Sequence, residues 1–311
     1  MDADRIAEEF DLGRARRLSD GPVARGKQGV VWRLETTEGR WAVKVVHGAV
    51  GEDQVAACAT FQDAAAGAGV PTPAVRRTTA GGVVADLAGS PVRVYSWVDL
   101  LAPDPMLDPE LVGVAVAGIH RVAPPATGPV GAWHADPVGA ARWDDVVARL
   151  SGAGAPFAPE LVRLRVELVA LESWIEPATD LVTCHRDLWA DNVLPVAGGG
   201  VCVIDWDDCG PAAREQELAC VLFEFARSDP GRARALVSAY EAADGPARVT
   251  RRGDFSMLVA QLGHIVEIGC RDWLTPHERS PSRADAEAWV RETLDDPHTR
   301  ARLDALLVAV G

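Results

Sequence analysis

The sequence predicts an α+β protein with a small β-rich N-terminal part and a larger, mostly helical C-terminal part. Up to about residue 96, short runs rich in β-branched residues alternate with Gly and Pro breaks, which is typical of strands. From about residue 104, apolar residues recur every three to four positions, which is typical of helices. A length of 311 residues suits two domains of about 150 residues each. We therefore predict domains at 1–96 and 97–311, joined by a hinge at about 95–98.

The N-terminal part contains one helical segment among its β-rich runs. Its strands are predicted at 30–34, 41–46, 83–87 and 92–97, and its helix at 52–66. The segment 36–39 ends in a glycine and is typical of a hairpin turn between the first two strands. The result is a small β-dominated domain with one helix.

The C-terminal part is helical apart from one β-rich island at 181–206. Helices are predicted at 111–121, 161–174, 215–227, 232–242, 255–273 and 285–294. The stretches 122–139 and 152–159 are rich in Pro, Gly and Ala and are predicted to be loops.

Composition excludes several classes of function. The formal net charge of −14 repels nucleic-acid backbones, so we expect no nucleic-acid partner and favour a small cationic ligand. The acidic first residues differ from a signal peptide, and no run approaches the roughly 18 uncharged residues of a membrane span. The six cysteines form no C-x-x-C pair, which indicates buried thiols in a reducing compartment. We therefore expect a cytoplasmic protein without a membrane partner, either a monomer or a homodimer.

Lysine is rare in this chain. Of the 31 basic residues, only Lys27 and Lys44 are lysines, and the others are arginines. A lysine carries a compact charge on a flexible stem, whereas arginine carries a planar fork. The two lysines therefore indicate positions where the compact ammonium group matters.

The β-rich island contains a hairpin that predicts a metal site. The runs 193–196 and 201–204 flank Ala-Gly-Gly-Gly, which favours a tight turn. If Val196 pairs with Val201, Asn192 lies opposite Asp205 at the open end of the hairpin. An amide and a carboxylate oxygen held together suit Mg²⁺.

Two motifs in this island resemble those of a known enzyme group. Residues 185–192, HRDLWADN, match the H-x-D-x-x-x-x-N catalytic loop of kinases. Residues 204–207, IDWD, are similar to the I-D-W-[DE] metal motif of the aminoglycoside phosphotransferase and choline-kinase-like group. The following segment also resembles this group, with Glu217 where aspartate is commoner. The resemblance implies a bilobal protein-kinase-like fold and transfer of a phosphoryl group from ATP or GTP with Mg²⁺.

The resemblance also implies roles for the residues of the two motifs. Asp187 would be the catalytic base, and His185 would support the catalytic loop. Asn192 and Asp205 would bind Mg²⁺, with Asp207 as a second metal contact.

In the N-terminal domain, Trp41-Ala42-Val43-Lys44 looks like the strand whose lysine holds the nucleotide phosphates. The family pairs this lysine with a helix glutamate, but Cys58 stands near that position, so we name Glu52 as the partner. The remaining predicted nucleotide contacts are the turn residues Gly26, Lys27 and Gly29 and the connecting residues Tyr95 and Trp97. A plain surface hairpin would explain the turn residues equally well.

The acceptor site is predicted in the helical part, where one sequence constrains it least. Along 255–273, polar residues spaced by three to four form one stripe. This stripe either lines a pocket or is the solvent-facing side of a core helix. The predicted substrate residues are Trp189, Asp191, Asp208, His264, Glu267, Asp272 and Trp273.

Three functions remain open from the sequence. The first is an antibiotic O-phosphotransferase for an aminoglycoside-like cation. The second is a metabolic kinase of the choline, homoserine or thiosugar type. The third is a nucleotide-binding protein without transfer activity, motivated by the missing helix glutamate. A protein kinase is disfavoured because the Asp-Phe-Gly and Ala-Pro-Glu motifs are missing.

Overall fold

The computed structural model describes residues 1–26, 29–48, 51–276 and 282–311. Its strands are β1 (Ala15–Leu18), β2 (Ala24–Gly26), β3 (Gly29–Thr36), β4 (Arg40–Val46), β5 (Val75–Arg76), β6 (Ala85–Asp86), β7 (Pro91–Ser96), β8 (Val182–Cys184), β9 (Val193–Pro195), β10 (Val201–Val203) and β11 (Gly210–Ala212). Its helices are α1 (Ala3–Glu9), α2 (Glu52–Gly67), α3 (Pro109–Val122), α4 (Ala132–Ala135), α5 (Ala140–Gly152), α6 (Ala158–Glu172), α7 (Arg214–Ala226), α8 (Pro230–Ala242), α9 (Ser256–Leu274), α10 (Arg283–Asp295) and α11 (Arg300–Val310). Single 3₁₀ turns lie at Trp206–Asp208 and Arg252–Phe255.

The chain forms two compact units that interleave along the sequence. The first unit contains Met1–Asp104, Arg121–Pro124 and Ala190–Cys209, and the second contains Pro105–His120, Pro125–Trp189 and Gly210–Gly311. The sequence predicted domains at 1–96 and 97–311, whereas the β9–β10 hairpin belongs to the first unit. Backbone hydrogen bonds join Val203 N to Pro71 O over 2.8 Å and Leu101 N to Pro195 O over 2.8 Å.

The first unit is built on a seven-stranded antiparallel sheet. Its strand order is β1-β3-β4-β7-β5, with β2 paired to β3 and β6 paired to β7. In the β4–β7 register, Lys44 lies directly opposite Arg93. The apolar residues of this sheet and of α1 form one buried core, which includes Ile6, Phe10, Leu34, Val43 and Val94. The sheet therefore gives Lys44 and Arg93 a rigid support.

The second unit is a helical assembly with one small sheet. The two strands β8 and β11 pair in antiparallel register, with Cys184 opposite Gly210. The helices α5, α6, α9 and α10 enclose a core that contains Trp143, Phe157, Val266 and Val290. None of the described helices combines the length and apolarity that a membrane crossing requires.

Most predicted elements are present, and the differences have local causes. The strand predicted at 83–87 shortens to β6, because Gly81 and Gly89 have positive φ angles and turn the chain on either side. The elements without a predicted counterpart include the helices α4, α5 and α11 and the strands β1, β5 and β11, and the pairing of β8 with β11 was not predicted either. β8 and β11 are three residues each and depend on pairing between distant segments, which sequence periodicity does not reveal.

Candidate active site

The register of the β9–β10 hairpin differs by one residue from the predicted one. Val201 pairs with Pro195 and Val203 with Val193, and Val196 N donates to Gly200 O over 3.2 Å. Three residues therefore form the loop instead of four. As a result Asn192 lies opposite Ile204, whose N–H donates to the Asn192 carbonyl over 2.9 Å. The prediction that Asn192 faces Asp205 was wrong, and Asp205 lies one residue beyond the pair.

Asp205 leaves the hairpin in a left-handed backbone conformation. Its φ and ψ angles are 57° and 59°, a region that aspartate tolerates better than most residues. The 3₁₀ turn Trp206–Asp208 follows at once. This sharp change of direction allows Asp205 and Asp207 to contact the same lysine.

Lys44 is the centre of a buried charge cluster in the first unit. Its Nζ lies 2.8 Å from Asp205 Oδ1 and 2.6 Å from Asp207 Oδ2, and only 13% of the side chain is exposed. Burial alone would lower the pKa of Lys44, but the carboxylates of Asp205 and Asp207 outweigh it and raise the pKa. The lysine is therefore a fixed cation.

Asp207 forms an ion pair with a second basic side chain in addition to Lys44. Its Oδ1 forms an ion pair with Arg93 of β7, whose side chain is 2% exposed. Burial favours the neutral acid, but Arg93 and Lys44 outweigh it and lower the pKa of Asp207. Four charged groups, two of each sign, thus balance one another, and we call Lys44, Arg93, Asp205 and Asp207 the charge cluster.

The partner of Lys44 is not the glutamate that we expected. Glu52 lies exposed at the start of α2, and the ion pairs that Lys44 forms within the described residues run to Asp205 and Asp207. Cys58 is buried on the same helix, near Gln54, whose Nε2 donates to the Cys209 carbonyl over 2.7 Å. The helix thus contacts the metal-motif segment through a neutral amide.

The structure describes part of the turn that was predicted to contact the nucleotide phosphates. Gly26 and Gly29 pair with each other at the ends of β2 and β3, whereas Lys27 lies outside the described residues. A Cβ atom on Gly29 would lie 2.3 Å from the Val45 carbonyl oxygen, so this position requires glycine for packing. At Gly26 the nearest atom would be 3.9 Å away.

Tyr95 and Trp97 lie at and just beyond the end of β7. Tyr95 stacks against the Arg93 guanidinium, at 5.2 Å from the ring centroid. Trp97 donates from Nε1 to Asp99 Oδ1 over 2.7 Å. That Tyr95 and Trp97 contact the nucleotide stays a prediction.

In the second unit, the residue before Asp187 is held from both sides. Arg186 has a positive φ of 67°, which is uncommon for a residue with a side chain. Its N–H donates to Glu217 Oε1, and its carbonyl accepts from Gln261 Nε2 over 2.9 Å. Side chains of α7 and α9 therefore fix the backbone that leads into Asp187.

Glu217 also belongs to a buried polar cluster beneath this loop. His120 binds Glu217 through Nε2 over 2.9 Å and Tyr240 through Nδ1 over 2.8 Å. A ring nitrogen of His120, the sulfur of Cys184 and a carboxylate oxygen of Glu217 lie within 4.8 Å of one another. Burial would raise the pKa of Glu217, but the hydrogen bond from His120 and its charge outweigh this effect and lower it. The carboxylate thus accepts hydrogen bonds from both the loop and the helix α3.

The other residues of the catalytic loop are divided between the two units. His185 is fully buried and Asp187 is half-buried, and both belong to the second unit. Asn192 is half-buried and belongs to the first. Trp189 is the last residue of the segment Pro125–Trp189 of the second unit and is half-buried.

The predicted substrate residues differ in their surroundings. Asp191 is exposed and Asp208 half-buried in the first unit. In the second unit, His264 stacks on Trp133 with ring centroids 5.4 Å apart, and Asp272 is half-buried.

Two of these residues are interior. Glu267 is buried and its Oε1 accepts from Arg142 Nε over 2.9 Å. Trp273 is buried against Phe157, edge to face at 5.8 Å. An ion pair with Arg142 thus holds Glu267, and ring packing holds Trp273. That they contact a substrate stays a prediction.

Sequence reasoning missed Arg93 and the contact of Gln261 with the catalytic loop. One signal was available for Arg93, since it lies in a predicted strand next to the lysine strand. Arginine is so common in this chain that composition did not mark it.

Comparison with known proteins places the chain in a family. A profile of the phosphotransferase enzyme family matches residues 22–252, more than half of the chain. No curated protein sequence matches it.

Solved structures share its fold at low identity. A spectinomycin phosphotransferase in complex with ADP and spectinomycin has a TM-score of 0.69 and 13% identity, with 98% of this chain and 97% of that chain covered. An aminoglycoside phosphotransferase from Alicyclobacillus acidocaldarius has a TM-score of 0.62 and 17% identity, covering 94% and 92%. A choline/ethanolamine kinase family protein from Mesorhizobium loti has a TM-score of 0.52 and 18% identity, covering 93% of each chain. The chain therefore belongs to the phosphotransferase enzyme family and has an α+β, protein-kinase-like fold.

Proposed function

We propose that this chain uses ATP or GTP with Mg²⁺ to phosphorylate a hydroxyl group of a small cationic molecule, foremost an aminoglycoside-like antibiotic. The observation that carries the proposal is the charge cluster. A buried lysine within 2.8 Å of both carboxylates of the I-D-W-D motif supports a site for phosphate and a divalent cation.

The donor set of the first unit fits magnesium. Asp205 supplies a carboxylate and Asn192 an amide, both oxygen donors, at the open end of one hairpin. Hard oxygen ligands favour Mg²⁺ over thiophilic metals. Bound magnesium would neutralise the charge of the nucleotide phosphates.

The residues of the chain then have separate tasks. Lys44 binds the α- and β-phosphates as a compact cation. Asp187 accepts a hydrogen bond from the acceptor hydroxyl and orients it towards the γ-phosphorus. As the new P–O bond forms, the bond between the γ-phosphorus and the bridging oxygen of the nucleotide breaks, the nucleoside diphosphate leaves, and the proton of the hydroxyl passes to Asp187. Glu217 and Gln261 fix Arg186 and thereby the position of Asp187.

The acceptor class is supported by charge and by the solved relatives. The chain carries a net charge of −14, which attracts cationic molecules. Neighbouring structures hold spectinomycin, hygromycin B and amicoumacin as ligands. Trp133 and His264, stacked in the second unit, offer an aromatic surface for a ring of such a ligand.

A second candidate is a metabolic kinase for a small amino alcohol. It is supported by the fold shared with the choline/ethanolamine kinase family protein and with an ethanolamine kinase. Both candidates use the same nucleotide site and differ in the acceptor alone.

A panel assay tests the function. Purified protein is incubated with Mg²⁺ and ATP or GTP, together with aminoglycosides, aminocyclitols, peptide antibiotics, choline, ethanolamine, homoserine or methylthioribose. Release of the diphosphate is followed, and products are identified by mass spectrometry. Phosphorylation of an antibiotic is expected. Faster turnover of an amino alcohol would favour the metabolic kinase, and nucleotide binding without any product would contradict both.

A further inference from the structure

The charge cluster contains an arginine whose role the proposed function does not explain. Arg93 is 2% exposed and forms an ion pair with Asp207. Its Nε and Nη2 are buried and have no hydrogen-bond partner among the described residues. Burying unpaired donors destabilises a fold, so such a group needs a reason to be there.

The two carboxylates of the cluster are not equivalent. Asp207 uses Oδ1 for Arg93 and Oδ2 for Lys44, and its side chain is 13% exposed. Asp205 contacts Lys44 through Oδ1 and is 33% exposed. Asp207 thus has both oxygens bound by buried cations of the protein, whereas Asp205 is the carboxylate open to an added ion.

The sheet explains why Arg93 reaches Asp207. Lys44 and Arg93 lie directly opposite each other on β4 and β7, and opposite residues point to the same face of a sheet. The carboxylate of Asp207 contacts both side chains. A buried ion pair loses much when one partner is removed, since the remaining charge stays buried.

From these contacts, and resting on the proposed function, we infer that Arg93 is a positioning residue for nucleotide binding. It holds Asp207, and Asp207 holds Lys44 in place for the phosphates. Asp205 is thereby the carboxylate left for magnesium, and the expected role of Asp207 as a second metal contact is replaced by that of lysine anchor.

A double-mutant cycle on nucleotide affinity tests this inference. The variants are Arg93→Met, Lys44→Met and the double variant, and the readout is the ADP dissociation constant from calorimetry, with magnesium and with EDTA. We expect Lys44→Met to weaken ADP binding about tenfold and Arg93→Met about three- to tenfold. The double variant should be no weaker than Lys44→Met, because Arg93 acts through the lysine. Additive losses would overturn the inference.

Matched variants separate positioning from folding. Arg76, on β5 of the same sheet, stacks on Trp41 at 4.9 Å, so Arg76→Met removes a comparable arginine away from the charge cluster. It should leave ADP affinity within about twofold of wild type. Arg93→Lys should recover part of the lost affinity, and a loss equal to that of Arg93→Met in a folded protein would contradict a charge-based role.

Asp207→Asn provides a second route if Arg93→Met does not fold. If Asp207 holds the lysine in place, Asp207→Asn should lower ADP affinity by the same factor with magnesium and with EDTA. A loss confined to the magnesium condition would make Asp207 a metal ligand and overturn the inference. Unchanged ADP binding by Lys44→Met would instead contradict the assignment of Lys44 to the nucleotide site, and with it the proposed function.

Discussion

At the scale of single residues, Asp205 and Asp207 show how two neighbouring carboxylates acquire different environments. Asp205 has a left-handed backbone, and the following 3₁₀ turn places Asp207 deeper, between Lys44 and Arg93. Their chemical type is the same, so burial and partners decide which is open to a metal. The sequence motif alone does not distinguish them.

The first prediction concerns Asp205. Asp205→Asn removes a carboxylate from the proposed magnesium site and should weaken magnesium-dependent nucleotide binding about tenfold or more, with a parallel loss of turnover. Calorimetry with ATP at a series of magnesium concentrations measures the effect. Wild-type magnesium dependence in this variant would contradict the assignment.

At the scale of elements, local signals predicted more than pairing did. The rarity of lysine and the strand pattern pointed to Lys44, and the two apolar runs on either side of the glycine-rich turn predicted the hairpin. The register was missed by one residue, because a run of three glycines allows loops of different length. The contact of Gln261 with Arg186 depends on which helix packs beneath the loop, and periodicity along 255–273 carries no such information.

The second prediction compares the two glycines of the β2–β3 turn. Gly29→Ala places a methyl group 2.3 Å from the Val45 carbonyl oxygen on β4. Backbone of a central strand cannot give way easily, so the free energy of unfolding should fall by about 1–3 kcal/mol. Chemical unfolding measures it.

Gly26→Ala is the matched control for this change. Its added methyl group would lie 3.9 Å from the nearest atom, so the stability of this variant should stay close to wild type. Equal stability losses for the two variants would contradict the packing explanation.

At the scale of the whole molecule, the compact units do not follow a single cut in the sequence. The catalytic-loop aspartate belongs to the second unit, whereas Asn192, Asp205 and Lys44 belong to the first. Fold class was predictable because strand and helix patterns are segregated along the chain. The interleaving was not, because it depends on contacts such as that between Val203 and Pro71.

The third prediction concerns stability at low pH. Burial, together with the nearby charge of Arg302, lowers the pKa of His298 from 6.5 to about 4. The neutral form is therefore favoured in the fold, and its contribution is present above about pH 6.5 and lost as the pH falls towards 4. His298→Leu should flatten the fall of stability in this window by up to about 1.4 kcal/mol per pH unit.

Chemical unfolding at a series of pH values measures this slope. His47 is exposed, so His47→Leu serves as the control and should follow the wild-type curve. An unchanged slope in His298→Leu would contradict the buried neutral histidine.

The role proposed for Asp187 is to activate the acceptor hydroxyl, a task separate from the binding of the nucleotide. Its most direct test measures nucleotide binding and product formation in the same preparation of Asp187→Asn, with the acceptor that wild type phosphorylates fastest. We predict nucleotide affinity within about twofold of wild type and turnover lower by about 10²–10⁴-fold. Turnover equal to wild type would contradict this role of Asp187.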